Sequence, residues 1–307
     1  MKDWLKSVIT FFVTLGLLFG IKISIQALEN FFYQQIGKPF EEIGFVQFPE
    51  TRKPPLSLNV KSALSLKIDP RGKTKTMFQK KPKEILPIAS LSKLMTALVI
   101  TKNEEIYPKE KTIIISSEAA NQKDVPVYGN LKKGEKFTVE ELIEMALIYS
   151  SNDATYALTE VMGLEEFVEQ MNIVAKEIGL ENTHFVNPTG LEPEDLKFNS
   201  STKENFNYST AEDLIKLARY IFSEYPSIFE ISTRKGPYLV RNGLSGLVLP
   251  SNFEFLGGKT GYTEEAGECL LVVAKNEKGS TFFNVILGAP KGERIKEMEK
   301  LFNWLNL

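Results

Sequence analysis

The chain has 307 residues, 43% of them hydrophobic and 25% charged, with a formal net charge of −2. That is the composition of a folded protein of one large or two small domains, and it excludes wholesale disorder and a basic field able to hold a nucleic-acid backbone. With only Cys269 and His184 of their kinds, an internal disulfide, a cysteine cluster and a multi-histidine metal site are excluded and a histidine-based triad is disfavoured. Any catalysis must then come from Ser, Lys, Asn, Thr, Tyr, Arg and carboxylates, with no metal or cofactor expected.

Val8 to Ile21 is a 14-residue uncharged run, and continued past Lys22 to Leu28 it reaches 21 residues, enough to cross a bilayer at about 1.5 Å per residue. Lys2 and Lys6 precede it, so the positive-inside rule puts the short end in the cytoplasm and the remainder outside. Residues 1–28 are expected to form a membrane anchor, with a cleaved signal as the rival reading. Residues 29–58 carry Pro39, Pro49, Pro54 and Pro55 and no sustained period, and read as a stem. The remaining 59–307 form the expected catalytic domain.

Val60–Asp69 alternates, Pro70-Arg71-Gly72 reads as a turn, and Lys73–Lys80 as a returning strand. Helical periods follow at Leu91–Lys102, Val139–Tyr149, Asp153–Met162, Leu164–Ile178 and Thr210–Phe222, the second with Thr138 and Glu141 placed for a capping box. Asp195–Asn207 is polar and reads as a surface loop. Leu270–Ala274 and Phe282–Leu287 read as buried strands with Gly279 between them, and Glu293–Leu305 as a closing helix with Ile295, Met298, Leu301 and Phe302 on one face. Strands near both ends and helices between them predict an α/β (α+β) fold: an antiparallel sheet of about five strands covered by helices, with an all-helical subdomain.

Three short motifs carry chemistry. In Ser90-Leu91-Ser92-Lys93 a serine at a helix start shares a face with a lysine three residues on, which permits nucleophilic catalysis without histidine if the lysine is neutral. Bringing a lysine near pH 7–8 requires about 3–4 kcal/mol from burial or a neighbouring cation. Ser150-Ser151-Asn152 projects short polar groups from a helix–helix connection, and Lys259-Thr260-Gly261 offers a cation and a hydroxyl beside a glycine that permits close approach. Each alone reads equally as a cap, a capping stretch or a Gly-rich turn. Together they stand in the order Ser-x-x-Lys, Ser-x-Asn, Lys-Thr-Gly, which is that of penicillin-recognising serine enzymes, and Lys259 becomes the second cation that could act on Lys93.

From about Val60 to the C-terminus the sequence resembles the serine-type D-Ala-D-Ala carboxypeptidases, the low-molecular-mass penicillin-binding proteins of β-lactamase/transpeptidase-like fold. The resemblance rests on the motifs and on PIASLSKLMTA (Pro87–Ala97), NTHFVNPTGL (Asn182–Leu191), Tyr208–Ala211 with Asp213, and KTGYTEEAGECL (Lys259–Leu270). It implies Ser90 as the acylated nucleophile, Lys93 as its base, Ser150 as the proton relay to the leaving group and Asn152 as a substrate-amide ligand. Lys259, Thr260 and Gly261 would face the substrate carboxylate, and the backbone N–H groups of Ser90 and Tyr262 would form the oxyanion hole. Arg294 matches a family arginine near the carboxylate, while Tyr262 stands where some members have His. The resemblance gives His184 and Cys269 no chemical part, and both are expected to be structural. Many members add a β-rich C-terminal domain and a C-terminal anchor that this chain does not show, so tethering is assigned to the N-terminal segment.

The implied function is a membrane-tethered, penicillin-binding carboxypeptidase on the extracytoplasmic side, which removes the terminal D-Ala from peptidoglycan stem pentapeptides through an acyl-serine. Its partners would be stem peptides, β-lactams as covalent inhibitors and the membrane. A DD-endopeptidase using the same residues is the alternative. A class A β-lactamase is a weaker one, because the Glu-x-x-Leu-Asn arrangement is absent around Glu192, Glu194 and Asn199. A non-catalytic wall-binding or β-lactam-sensing protein is the alternative outside the enzymes.

Overall fold

The computed structural model describes residues 6, 9–10, 53–122, 130–192, 206–234, 244 and 246–307. The chain divides into two units, Met1–Pro54 and Pro55–Leu307. The expected anchor, apart from three of its positions, and most of the expected stem lie outside the described residues. No helix among the described residues is long and apolar enough to cross a membrane.

The second unit begins with a hairpin, β1 (Ser62–Ile68) and β2 (Thr74–Lys80). The Asp69 carboxylate closes the turn by accepting from the N–H groups of Arg71 and Lys73, each at 2.9 Å, the local bonding that favours Asp in turns. The two-residue strand β3 (Leu86–Pro87) leads into a 3₁₀ turn, Ala89–Ser92, and then α1 (Lys93–Lys102). Every residue of α1 from Lys93 to Ile100 is buried, so this is a central helix and not an amphipathic surface one. Next come β4 (Thr112–Ile114), α2 (Ser117–Ala120), β5 (Lys136–Thr138), α3 (Val139–Ile148), α4 (Asn152–Thr159) and α5 (Leu164–Glu177). The capping box is present: Thr138 Oγ1 accepts from Glu141 N at 3.2 Å and the Glu141 carboxylate from Thr138 N at 2.7 Å.

The chain returns through β6 (Tyr208–Ser209), α6 (Ala211–Glu224) and α7 (Ser227–Thr233) to β7 (Phe253–Thr263), β8 (Gly267–Asn276), β9 (Thr281–Ala289) and α8 (Arg294–Asn306). The main sheet is antiparallel in the order β2-β1-β9-β8-β7. Its central strands read as unbroken apolar runs because both faces are covered. Under α8 lie Val272, Ala274, Phe282 and Ile286, and on the other face α6 packs across β1 and β9. Full burial of Met298, Leu301 and Phe302 on α8 contributes about 1.5–3 kcal/mol per side chain. A clasp joins the start of this unit to α8: buried Glu297 accepts from Asn59 N at 2.8 Å and from Lys300 Nζ at 2.5 Å.

Two expectations change. The helical subdomain is not all helical, since β4 pairs antiparallel with β5; strands of three residues are too short to show a period. The polar stretch expected as a surface loop ends in a buried residue, Asn207, while residues 193–205 lie outside the described set. A polar side chain is stable at that depth because its hydrogen bonds are made within the protein.

Candidate active site

The three motifs converge where the 3₁₀ turn, the α3–α4 connection and β7 meet. Ala89 precedes the first serine with φ +46°, a left-handed conformation uncommon for alanine. The strain is locked in by the Ser92 hydroxyl, which donates to Ala89 O at 2.8 Å, and by two close approaches. Gly190 (φ +81°) passes so near that an added Cβ would lie 2.0 Å from Ala89 O. At Gly261 an added Cβ would lie 3.1 Å from Ser90 N, so this glycine admits the nucleophile turn against β7. Ser150 is also left-handed, at φ +64°, and Ser151 caps α4 by accepting from Ala154 N. Strained non-glycine residues persist only where their surroundings over-determine them, and here two of them flank one cluster.

At the cluster, Lys93 is 1% exposed. Its Nζ lies 3.0 Å from Ser90 Oγ, 2.6 Å from Asn152 Oδ1 and 2.8 Å from the Thr189 carbonyl. Lys259, equally buried, places its Nζ 2.9 Å from Ser150 Oγ and 2.9 Å from Thr260 O. Burial, then the charge of Lys93, then that of Arg294 push Lys259 well below the usual lysine range. Lys93 thus acts electrostatically on Lys259, whereas the sequence reading placed the effect of Lys259 on Lys93.

Arg294 opens α8 beside β7. Its Nη1 donates to Gly261 O at 3.2 Å and lies 3.6 Å from Glu268 Oε1, and its backbone N donates to Glu268 Oε2 at 2.9 Å. It thus braces the third-motif strand. Tyr262 is half-buried at the end of that strand, its hydroxyl on Glu264 at 2.5 Å and Lys291 Nζ 5.2 Å above its ring.

All nine residues singled out for the site, Ser90, Lys93, Ser150, Asn152, Lys259, Thr260, Gly261, Tyr262 and Arg294, thus fall on the nucleophile turn, the α3–α4 connection, β7 and the start of α8. Asn152 has a partner that the sequence reading did not anticipate: its Oδ1 accepts from Lys93 Nζ. The carbonyl of Thr189 was missed, because a backbone acceptor leaves no side-chain signature; the Asn187-Pro188-Thr189-Gly190 turn sequence was the available signal. His184 sits apart, bridged to Tyr208 by backbone hydrogen bonds with the rings 5.8 Å apart. Cys269 is fully buried in β8, and burial pushes its thiol up to about 11. Among the described residues no group of His, Cys, Asp and Glu could hold a metal ion.

Residues 50–291 match the family model described as D-alanyl-D-alanine carboxypeptidase. A D-alanyl-D-alanine carboxypeptidase of Bacillus subtilis (strain 168), DacF, is 32% identical over 280 residues, covering 86% of this chain and 67% of that protein. A D-alanyl-D-alanine endopeptidase of Escherichia coli (strain K12) is 31% identical over 209 residues, covering 64% of this chain and 62% of that protein. The chain thus spans about two thirds of the length of these curated relatives. Among solved structures, penicillin-binding protein D2 of Listeria monocytogenes in its cefotaxime-bound form superposes with a TM-score of 0.66 at 27% identity, covering 82% of this chain and 98% of that one.

Proposed function

The chain belongs to the D-alanyl-D-alanine carboxypeptidase family, and from that premise we propose that it is a serine-type, penicillin-binding carboxypeptidase that releases the terminal D-Ala of peptidoglycan stem peptides. The observation that carries the reading is the set of partners around Lys93 Nζ. A neutral amine has two N–H groups and one lone pair. Asn152 Oδ1 and Thr189 O carry no proton and take the two N–H groups, which turns the lone pair toward the Ser90 hydroxyl.

In this mechanism Ser90 Oγ attacks the carbonyl of the penultimate D-Ala and passes its proton to Lys93. The N–H groups of Ser90 and Tyr262 stabilise the oxyanion, where one donor is worth about 10²–10³ in rate. Ser150, held by Lys259, carries a proton to the departing D-Ala nitrogen, and the C–N bond breaks to leave the acyl-serine. Lys259, Thr260 and the Arg294-braced Gly261 receive the terminal carboxylate. Water then cleaves the ester and restores Ser90. A β-lactam would enter the same path and stall at the acyl-serine; the cefotaxime-bound structural neighbour supports this.

The test is reaction of the folded chain with a labelled penicillin and a D-Ala-D-Ala peptide. A long-lived adduct on Ser90 and release of D-Ala are expected, and Ser90→Ala loses both. A folded wild-type chain giving neither overturns the reading. The endopeptidase in E. coli favours a second activity of the same serine on cross-linked peptides, read out by the products from cross-linked muropeptides. The β-lactamase alternative is weakened because the Glu192 carboxylate is engaged, accepting from Glu265 N at 2.7 Å; rapid penicillin turnover would revive it. We further propose that residues 1–28 tether the domain outside the cell membrane, supported by the uncharged run behind Lys2 and Lys6. Mass spectrometry of the penicillin-labelled membrane fraction reads the true N-terminus.

A further inference from the structure

Asn207 is 2% exposed at the end of a polar stretch, and its groups reach three segments that frame Lys93. Its Oδ1 accepts from Val186 N at 2.8 Å and Asn187 N at 3.1 Å. Its Nδ2 donates to Asn187 O at 2.7 Å and to Ser92 Oγ at 2.9 Å, and its carbonyl accepts from Ile88 N at 3.1 Å. Asn187, wholly buried, continues the chain of bonds. Its Oδ1 gathers Thr189 N at 3.1 Å, Thr189 Oγ1 at 3.0 Å and Gly190 N at 2.7 Å. Thr96 Oγ1 fixes the intervening Pro188 carbonyl at 2.7 Å. The outcome is a tight turn whose Thr189 carbonyl meets Lys93 Nζ at 2.8 Å.

We propose that Asn207, acting through Asn187 and Ser92, is a positioning residue that aims the Lys93 amine at Ser90. A lysine ends in freely rotating N–H groups on a flexible stem, so its direction is set by its acceptors. One acceptor, Asn152, comes from α4. The other is a backbone atom in a turn that the two asparagines hold together with Thr96, and the same Asn207 amide secures the Ser92 hydroxyl that braces the Ser90 turn. One side chain thereby fixes both ends of the base–nucleophile distance. The inference rests on Lys93 being the base.

The charged groups about the amine are Lys259 from β7 and, behind it, Arg294 from α8 with its partner Glu268. The Asp153 carboxylate of α4 accepts from Leu131 N at 2.9 Å. Asn207 bonds to none of them, so a change in pH profile on its removal reports the amine's acceptors.

The experiment measures Ser90 acylation by a fluorescent penicillin as a function of pH in the full chain and three variants. Asn207→Ala deletes the bracket, and Ser92→Ala deletes one of its links at little steric cost. Asn172→Ala is the control, because Asn172 makes the same type of bonds to Phe185, at 2.8 and 2.9 Å, with none to a group that holds Lys93. Acylation is expected to slow about 10- to 100-fold in Asn207→Ala and severalfold in Ser92→Ala. In both, the acid limb moves to lower pH, since the carbonyl that stabilises an ammonium form has drifted away. Asn172→Ala keeps the wild-type rate and limb while its thermal stability falls. Wild-type rate and limb in Asn207→Ala and Ser92→Ala overturn the proposal, as do equal effects in the control; if Asn207→Ala does not fold, Ser92→Ala decides. A wild-type chain with no Ser90 adduct breaks the base assignment and this proposal with it, whereas an acylated wild type with unaltered variants overturns the proposal alone.

Discussion

Under α8 the sheet presents Val272, Ala274, Phe282 and Ile286 to Met298, Leu301 and Phe302, and Phe253 meets Phe282 and Phe302 edge to face with centroids 5.1 and 5.2 Å apart. At the seam where β7 crosses the nucleophile turn, the same sheet carries one buried lysine, abuts a left-handed alanine and is approached by a second buried lysine. The first region satisfies the usual preferences of side chains and backbone; the second sets them aside. The contrast shows where the molecule holds its stability and where it spends some of it on geometry that chemistry needs. Substitutions should therefore separate the two regions cleanly.

The largest effect is expected at Lys93→Met. Removing the base lowers Ser90 acylation by about 10²–10⁴-fold, while thermal melting shows only a modest loss, because the cost of burying the amine is gone but Asn152 Oδ1 and the Thr189 carbonyl lose their donor, at about 1–3 kcal/mol. A large loss of stability would erase the distinction. Phe302→Ala reverses the pattern: it should cost about 3–5 kcal/mol in denaturant unfolding, with acylation per folded molecule unchanged. Lys259→Gln sharpens the comparison through pH. Burial penalises the cation in the folded state only, so below the folded titration point both states are charged and the penalty is complete. It fades as pH rises toward the unfolded value of 10.5. The variant should thus gain most over wild type at acid pH, a gain that shrinks as pH rises toward alkali, while acylation falls. Unfolding curves at several pH values check the sign.

The same division governs what could be read from the sequence. The β1–β2 hairpin, the capping box at Thr138 and the apolar face of α8 rest on residues within a few positions of each other, and local rules expose them. The motifs Ser90–Lys93, Ser150–Asn152 and Lys259–Gly261 are individually uninformative, and became legible only as an ordered set. What stayed hidden is non-local. The β3–β6 pair spans two residues in each strand, too few to bear a pattern. Asn207 looks like any loop asparagine until Ser92, 115 positions away, is placed beside it. The Thr189 carbonyl belongs to no side chain at all.

The clasp at Asn59 bears on mechanics. Tension applied to the chain ahead of Pro55 enters through Leu56 and Leu58, which pack with the α8 side of the sheet, and through Asn59 on Glu297. The next residues are stapled to the sheet by Leu58 O on Lys80 and by Lys61 N on Leu287 O, each at 2.9 Å. A pull from that end is thus shared among the helix and strands of the outer layer before it can reach the turn that carries Ser90, and the reactive geometry is shielded from strain by the part of the fold best built to resist it.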